Sequence, residues 1–373
     1  MLRFGRRLVL LVGSALLSLS AAPVPAALTE WQSVTPADAG FAPDLAEGLD
    51  QAVRAGELPN LHAVVVARAG RLVLERYDEG PDERWGEPLG TVAFGPEVKH
   101  DLRSVSKSIV GLLYGIALAE GRVPALDQPL VDHFPYPDFA ADPARRRMTV
   151  AHALSMTLDI EWDESLPYTN PRNSEIAMEM APDRYRWVLE RPIVAEPGSR
   201  WAYNGGATAL LAHLIAEGTG MQLHDYAREK LFAPLGITDT DWVPGSDGEP
   251  AAASGLRMRP RDLARIGQLV LDGGRWGERQ VVPADWLDAS FEPRVPSVEE
   301  LAYGYQWWLW PRERRADGRR WMAGFGNGGQ RLTIMPHLDL VLAVTAGNYN
   351  QPDAWKLPVT IIAEILIPAL TKR

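Results

Sequence analysis

Ser104 and Lys107 stand three residues apart at the head of an apolar segment. On a helix that spacing puts both on one face, so hydroxyl and amine can meet. A serine hydroxyl becomes a good nucleophile only when a base takes its proton, and a lysine can act as that base where its surroundings let it be neutral. Ser104 would also open the helix, where free backbone N–H groups can hold a negative oxygen. The structural alternative is a capping serine beside a lysine whose stem lies along apolar surface. The chain has five lysines against 33 arginines, so each lysine position is informative.

Two further segments carry chemistry. The stretch Pro197-Gly198-Ser199-Arg200-Trp201-Ala202-Tyr203-Asn204-Gly205-Gly206 places a tyrosine on a glycine-rich bend ahead of an apolar helical run. There Tyr203 can project a phenol into a cleft as general base or proton relay; the plainer alternative is a core aromatic beside a turn. Gly324-Phe325-Gly326-Asn327-Gly328-Gly329-Gln330 runs into a strand. Glycines at a strand edge let backbone approach a ligand closely, and an N–H there can complete an oxyanion hole. It is no phosphate loop, because a strand and not a helix follows it. The seven histidines form no His-x-x-x-His pair, which argues against zinc, and His152 in an apolar helical stretch reads as structural. Asp163 and Glu164, after Trp162, can rim the cleft; the plainer reading is solvated surface. Of the aromatic run, Tyr305 and Trp307 should face one side of a strand and Trp308 and Trp310 the other; one side is available to a substrate cleft, and core packing accounts for at least half of them.

These groups need elements to hold them. Residues 43–56 read as an amphipathic helix, and 61–66 with 72–77 as a hairpin turning at Ala69-Gly70. From Ser104 an all-round apolar helix runs to a stop at Gly121. Helical patterns fill about 145–290, including 206–218, 222–232 and 260–272. Strands return at 303–310, 331–335 and 338–345, before a last apolar helix over 353–370. Strands at both ends and helices between them predict one mixed α/β unit. Its antiparallel sheet is made by both chain ends, with a helical region inserted.

The chain is 373 residues long with a net charge of −10 and no cysteine. Absent thiols exclude cysteine nucleophiles, thiolate metal sites and disulfides, and the acidic balance argues against a nucleic-acid partner. Arg3, Arg6 and Arg7 precede the apolar run Leu8–Leu19 and small residues up to Ala27, the layout of a cleaved secretory signal. The run is shorter than the roughly 20 residues a membrane span needs. The expected layout is therefore a signal over 1–26 and one domain over 27–373, with the sheet part at about 40–103 and 291–373 and the helical part at about 104–290. The product should be periplasmic or secreted, with no stable membrane insertion.

Taken in order, Ser104–Lys107, Tyr203-Asn204 and the glycine-rich strand entry resemble the three motifs of the serine β-lactamase and penicillin-binding superfamily. The likeness is strongest to its class C β-lactamase-like branch, which includes esterases and 6-aminohexanoate-dimer hydrolases. Met258-Arg259-Pro260-Arg261-Asp262-Leu263-Ala264-Arg265 and Pro234-Leu235-Gly236-Ile237 support it, and it spans about 45–370. The resemblance implies a β-lactamase-like fold with the site between sheet and helical region. It also implies an acyl-enzyme on Ser104, with Lys107 and Tyr203 moving protons, on a small ester or amide substrate and without metal or organic cofactor. Backbone N–H groups of Ser104 and Asn327 become the oxyanion donors, and Asn204, Gly326 and Gln330 join the substrate-binding set. The second motif usually reads Tyr-x-Asn, and here Gly205 stands in the third place. The third usually opens with a cation and a hydroxyl, where this chain has Gly324-Phe325-Gly326; the nearest cation, Arg331, lies beyond. Alternatives within this fold are a β-lactamase, a D-amino-acid peptidase or a non-catalytic cell-wall or peptide sensor.

Overall fold

The computed structural model describes residues 31–371 apart from 314; the expected signal segment lies outside them. Leu61–Arg68 (β1) and Arg71–Tyr77 (β2) form the N-terminal hairpin. Its two-residue turn has positive φ at both Ala69 and Gly70 (51° and 70°), the twist that matches paired strands. β1 is flanked on its other side by Leu340–Ala346, from the far end of the chain. The eight-stranded antiparallel sheet continues through Gln330–Met335, Trp321–Gly326, Trp308–Trp310, Ala302–Tyr303 and Val295–Pro296. Each end of the chain thus supplies part of one sheet.

Both faces of that sheet are covered, which is why its central strands read as unbroken apolar runs. On one side Leu45–Arg54 (α1) and the C-terminal helical turns Lys356–Leu366 pack over Val64, Val66, Leu342 and Val344. On the other, Val105–Ala119 (α2) and the helix Pro260–Leu271 join the helical region over Val65, Leu332, Val341 and Ala343. Residues 40–42 and 369–371 also meet, through an isolated bridge between Phe41 and Leu370 and a hydrogen bond from the Ala42 N–H to the Ala369 carbonyl, 2.7 Å. Among the described residues no helix is long and apolar enough to cross a membrane.

One expected strand is two. Ala302–Tyr303 and Trp308–Trp310 pair with each other around Gly304–Trp307, with Gln306 at φ 64°. The turn survives burial because Gln306 is satisfied. Its side-chain oxygen accepts from Thr208 Oγ1 at 2.7 Å, and its amide donates to the Ala153 and Leu154 carbonyls at 3.1 Å. Tyr305 and Trp307 are core residues, whereas Trp308 and Trp310 are half-buried. The polar, exposed hairpin Glu79–Arg84 with Glu87–Ala93 carries no apolar alternation and was not expected.

Candidate active site

A short three-stranded sheet aims the front of α2. His100–Asp101 pairs with Leu256–Met258, and the Leu102 N–H donates to the Leu256 carbonyl. The chain then turns sharply through Arg103, a non-glycine residue at φ 48°, at a cost of about 1–3 kcal/mol. Arg103 is held there by ion pairs to Glu83 and to Asp101 (3.2 Å) and by the Tyr349 ring, 4.8 Å away. Ser104 follows as the residue that opens α2, and its side chain makes no capping hydrogen bond. The capping alternative therefore does not describe this serine; its hydroxyl is left for other work.

That hydroxyl accepts from Lys107 Nζ at 3.0 Å. Lys107, 1% exposed, also donates to Glu175 Oε2 at 3.0 Å and to the Ala253 carbonyl at 3.2 Å. Burial works against its charge, but Glu175, with help from Tyr203 and Glu164, more than offsets this and holds its pKa above the ordinary lysine value. Lys107 is thus an ammonium at rest. Tyr203 lies with its ring centroid 4.9 Å from that nitrogen. Burial raises its phenol, while Lys107 and a hydrogen bond with Ser104 pull the other way. Ser104, Lys107 and Tyr203, the three residues read from sequence, are in mutual reach.

Two glutamates complete the cluster. Glu175 is buried, on a short helix whose capping Asn173 accepts from its backbone N–H. Glu164 accepts from Gly205 N (2.6 Å), Trp162 Nε1 (2.6 Å) and Tyr168 Oη (2.8 Å). Desolvation, with Glu175 nearby, raises its carboxyl to about 7. The reading of Glu164 as solvated surface is corrected: only Asp163, beside it, faces solvent. Nothing local in sequence marks Glu175, because a contact 68 residues distant from Lys107 leaves no spacing signal. Gly205 holds a clue to both: a Cβ there would sit 2.3 Å from Glu175 Oε2, so the position where related motifs carry asparagine has no room for a side chain.

The remaining expected residues divide. Asn327 lines the Ser104 cleft with Tyr168, Ser254 and Asn350, and its side chain is clasped by Asn350 in two hydrogen bonds of 3.1 and 2.8 Å. Gly326 packs against the start of α2, where a Cβ would stand 2.4 Å from the Leu102 carbonyl. Asn204 has its side-chain oxygen committed to the Ala207 N–H as cap of the helix Gly205–Thr219. Gln330 is corrected outright. Its amide donates to the Asn327 and Ala346 carbonyls and accepts from Ala346 N, so it braces the hairpin and has nothing left for substrate. Trp308 stacks between Tyr203 (5.6 Å) and Phe325 (4.9 Å), forming an aromatic rim. The cleft itself is small, about 30 Å³, with Trp85, Tyr168 and Thr169 among its walls; a hollow of about 430 Å³ lies at the far end of Trp321–Gly326, away from this chemistry.

His62, Asp82 and His100 are the one group of potential metal ligands among the described residues. Their geometry is that of a hydrogen-bonded network. His62 Nδ1 and His100 Nε2 are 2.8 Å apart, closer than the roughly 3.3 Å that two nitrogens about 2.0–2.1 Å from one zinc would keep. His152 caps its own helix with Thr149.

The beta-lactamase family profile matches residues 50–359. The chain belongs to that family. It is 26% identical over 315 residues to the 6-aminohexanoate-dimer hydrolase of Paenarthrobacter ureafaciens, covering 78% of this chain and 73% of that one. It is also 26% identical over 148 residues to the lovastatin esterase of Penicillium rubens, covering 38% of this chain and 35% of that one. Among solved structures, EstCE1, a hydrolase with promiscuous acyltransferase activity, superposes with a TM-score of 0.69 at 16% identity, covering 88% of this chain and 98% of the other. A penicillin-binding protein from Bacillus halodurans gives 0.65 at 14%, covering 85% and 99%. These likenesses establish the β-lactamase-like fold expected from sequence.

Proposed function

We propose that this family member is an exported serine hydrolase that cleaves a small ester or linear amide through an acyl-enzyme on Ser104. The observation that carries the reading is the Ser104 hydroxyl, free of capping duty, 3.0 Å from Lys107 Nζ, with the Tyr203 ring centroid 4.9 Å from the same nitrogen. The names of its relatives, a hydrolase of an amino-acid dimer and an esterase, point the same way. Because Lys107 is charged at rest, it moves protons by relay. As Ser104 Oγ bonds to the carbonyl carbon, its proton passes to Lys107 while Lys107 hands one to Glu175. The Tyr203 proton goes to the leaving oxygen or nitrogen as that bond breaks, and Glu175 returns its proton through Lys107 to the phenolate. Water then releases the acyl group by the reverse route. The Ser104 and Asn327 N–H groups take the oxyanion, each worth roughly 3 kcal/mol of barrier. Export rests on the charged head and short apolar run before residue 27.

A fluorophosphonate probe tests the reading. It should label Ser104 in the folded wild-type protein, and Ser104→Ala should lose both the label and p-nitrophenyl ester turnover while keeping the wild-type melting transition. An unlabelled, folded wild-type protein would favour the non-catalytic sensor. N-terminal sequencing of protein from a secreting host should begin between Ala22 and Glu30.

A further inference from the structure

Behind the glycine hairpin of the site lies a second, separate cavity. It measures about 190 Å³ and is bounded by Phe325, the hairpin backbone, Arg331, Pro352, Trp355 and Pro358. Strand alternation fixes its side of the sheet. Gly324 and Gly326 face α2, and Leu332 belongs to the same core; Phe325 and its cross-strand partner Arg331 therefore point to the opposite face.

Four arginines are buried among the described residues: Arg103, Arg184, Arg257 and Arg331. The first three each hold carboxylates. Arg331, 5% exposed, holds none: its Nε has no partner, and no described group accepts a hydrogen bond from its guanidinium. The Phe325 ring centroid lies 3.7 Å from its Cζ. Burial lowers its pKa to about 9, which leaves it charged at neutral pH. A buried charge without a counter-ion is costly, and the other three show how this fold meets that cost.

The geometry points to this cavity as the binding site of a small organic carboxylate, its anion on Arg331 and its apolar body against Phe325, Trp355 and the two prolines. The volume, below the few hundred Å³ typical of larger ligands, limits the guest to roughly the size of benzoate. Trp355, more than half exposed, stands at the mouth. Asn327 lines both this cavity and the Ser104 cleft, so an occupant presses on the back of the hairpin whose front faces the nucleophile.

Benzoate, with benzamide as its uncharged counterpart, tests the assignment on the full-length mature protein by tryptophan fluorescence and by inhibition of p-nitrophenyl butyrate hydrolysis. Benzoate should bind saturably, at least about tenfold more tightly than benzamide, and Arg331→Met should remove that margin. Inhibition should not be competitive, since the ester occupies the other side of the hairpin. Equal binding of the two compounds, wild-type benzoate affinity in R331M, or strict competition with the ester would each overturn the site. If R331M does not fold, crystals of the wild type soaked in 4-bromobenzoate decide: bromine beside Arg331 supports the proposal, and bromine only beside Ser104 ends it.

Discussion

A lysine with 1% of its side chain exposed keeps its charge here because Glu175 Oε2 lies 3.0 Å away, and this pairing governs what the serine can do. Removing one member of a buried pair strands the other charge, which typically costs about 3–5 kcal/mol. Glu175→Gln should therefore lower the melting temperature and also slow acylation, since the relay loses its terminus; stopped-flow ester bursts separate the two effects. Lys107→Arg keeps the charge but not an amine able to give and take a proton, and should lower kcat by about 10²–10⁴-fold. A loss smaller than tenfold in folded protein would mean that Lys107 acts only as a fixed charge. Glu164 adds a pH signature. With its carboxyl raised to about 7, it ionises as the medium turns alkaline and tightens the hold of Lys107 on its proton. The kcat/KM profile should fall above about pH 7, and Glu164→Gln should flatten that limb. Ser104, Lys107 and Tyr203 were legible in sequence because a short spacing or a turn marks each. Glu164 and Glu175 were not, because only the packing of segments 57 and 68 residues beyond Lys107 brings them in.

Apolar periodicity announced α1, α2, the helix Pro260–Leu271 and the main hairpins, whose inward faces repeat along the chain. It misread Tyr303–Trp310, where a buried Gln306 makes a turn by long-range hydrogen bonds, and missed Glu79–Ala93, where a polar hairpin has no apolar face to detect. Close element contacts yield a sharper expectation. A methyl at position 205 would strike the Glu175 carboxylate at 2.3 Å, so Gly205→Ala should destabilise by about 1–3 kcal/mol and cut turnover by disturbing the Lys107 pair. Gly95→Ala, with open space around it, is the matched control and should be silent in both calorimetry and assay. Strand direction bears on specificity too. Arg331 points away from the Ser104 cleft, and Arg103, which does line the cleft, is already neutralised by Glu83 and Asp101. Among the described residues lining the cleft, a β-lactam carboxylate therefore meets no spare arginine. Missing such a charge-assisted bond costs about 1.5–3 kcal/mol, so nitrocefin should be turned over one or two orders of magnitude less well than a short-chain p-nitrophenyl ester, after correction for intrinsic reactivity.

Across the whole molecule, buried titratable groups oppose one another. Burial lowers both His62 and His100 to about 4, so they stay neutral where an unfolded chain would take up protons, and stability is lost as pH falls from 6.5 towards 4. Glu164, raised to about 7 by desolvation, does the reverse: it is protonated in the fold where an unfolded chain is ionised, and stability is gained as pH falls through that value. The contributions offset between about pH 4.5 and 6.5. His62→Gln removes one side of the balance, so its melting temperature should trail that of the wild type most at pH 7.5 and less at pH 5. A constant gap would show that the histidines do not titrate with folding. The order of strands, finally, sets a timetable for synthesis. β1 lies between β2 and Leu340–Ala346, so its second edge stays open until residues up to 346 have left the ribosome. Ser104 is made well before the hairpin at Asn327 that faces it, and that hairpin is braced by Gln330 onto Ala346, which arrives later still. A nascent chain arrested before residue 340 should be protease-sensitive and unreactive towards the fluorophosphonate. The cleft around Ser104 is thus incomplete during translation until Leu340–Ala346 joins β1 and closes the sheet.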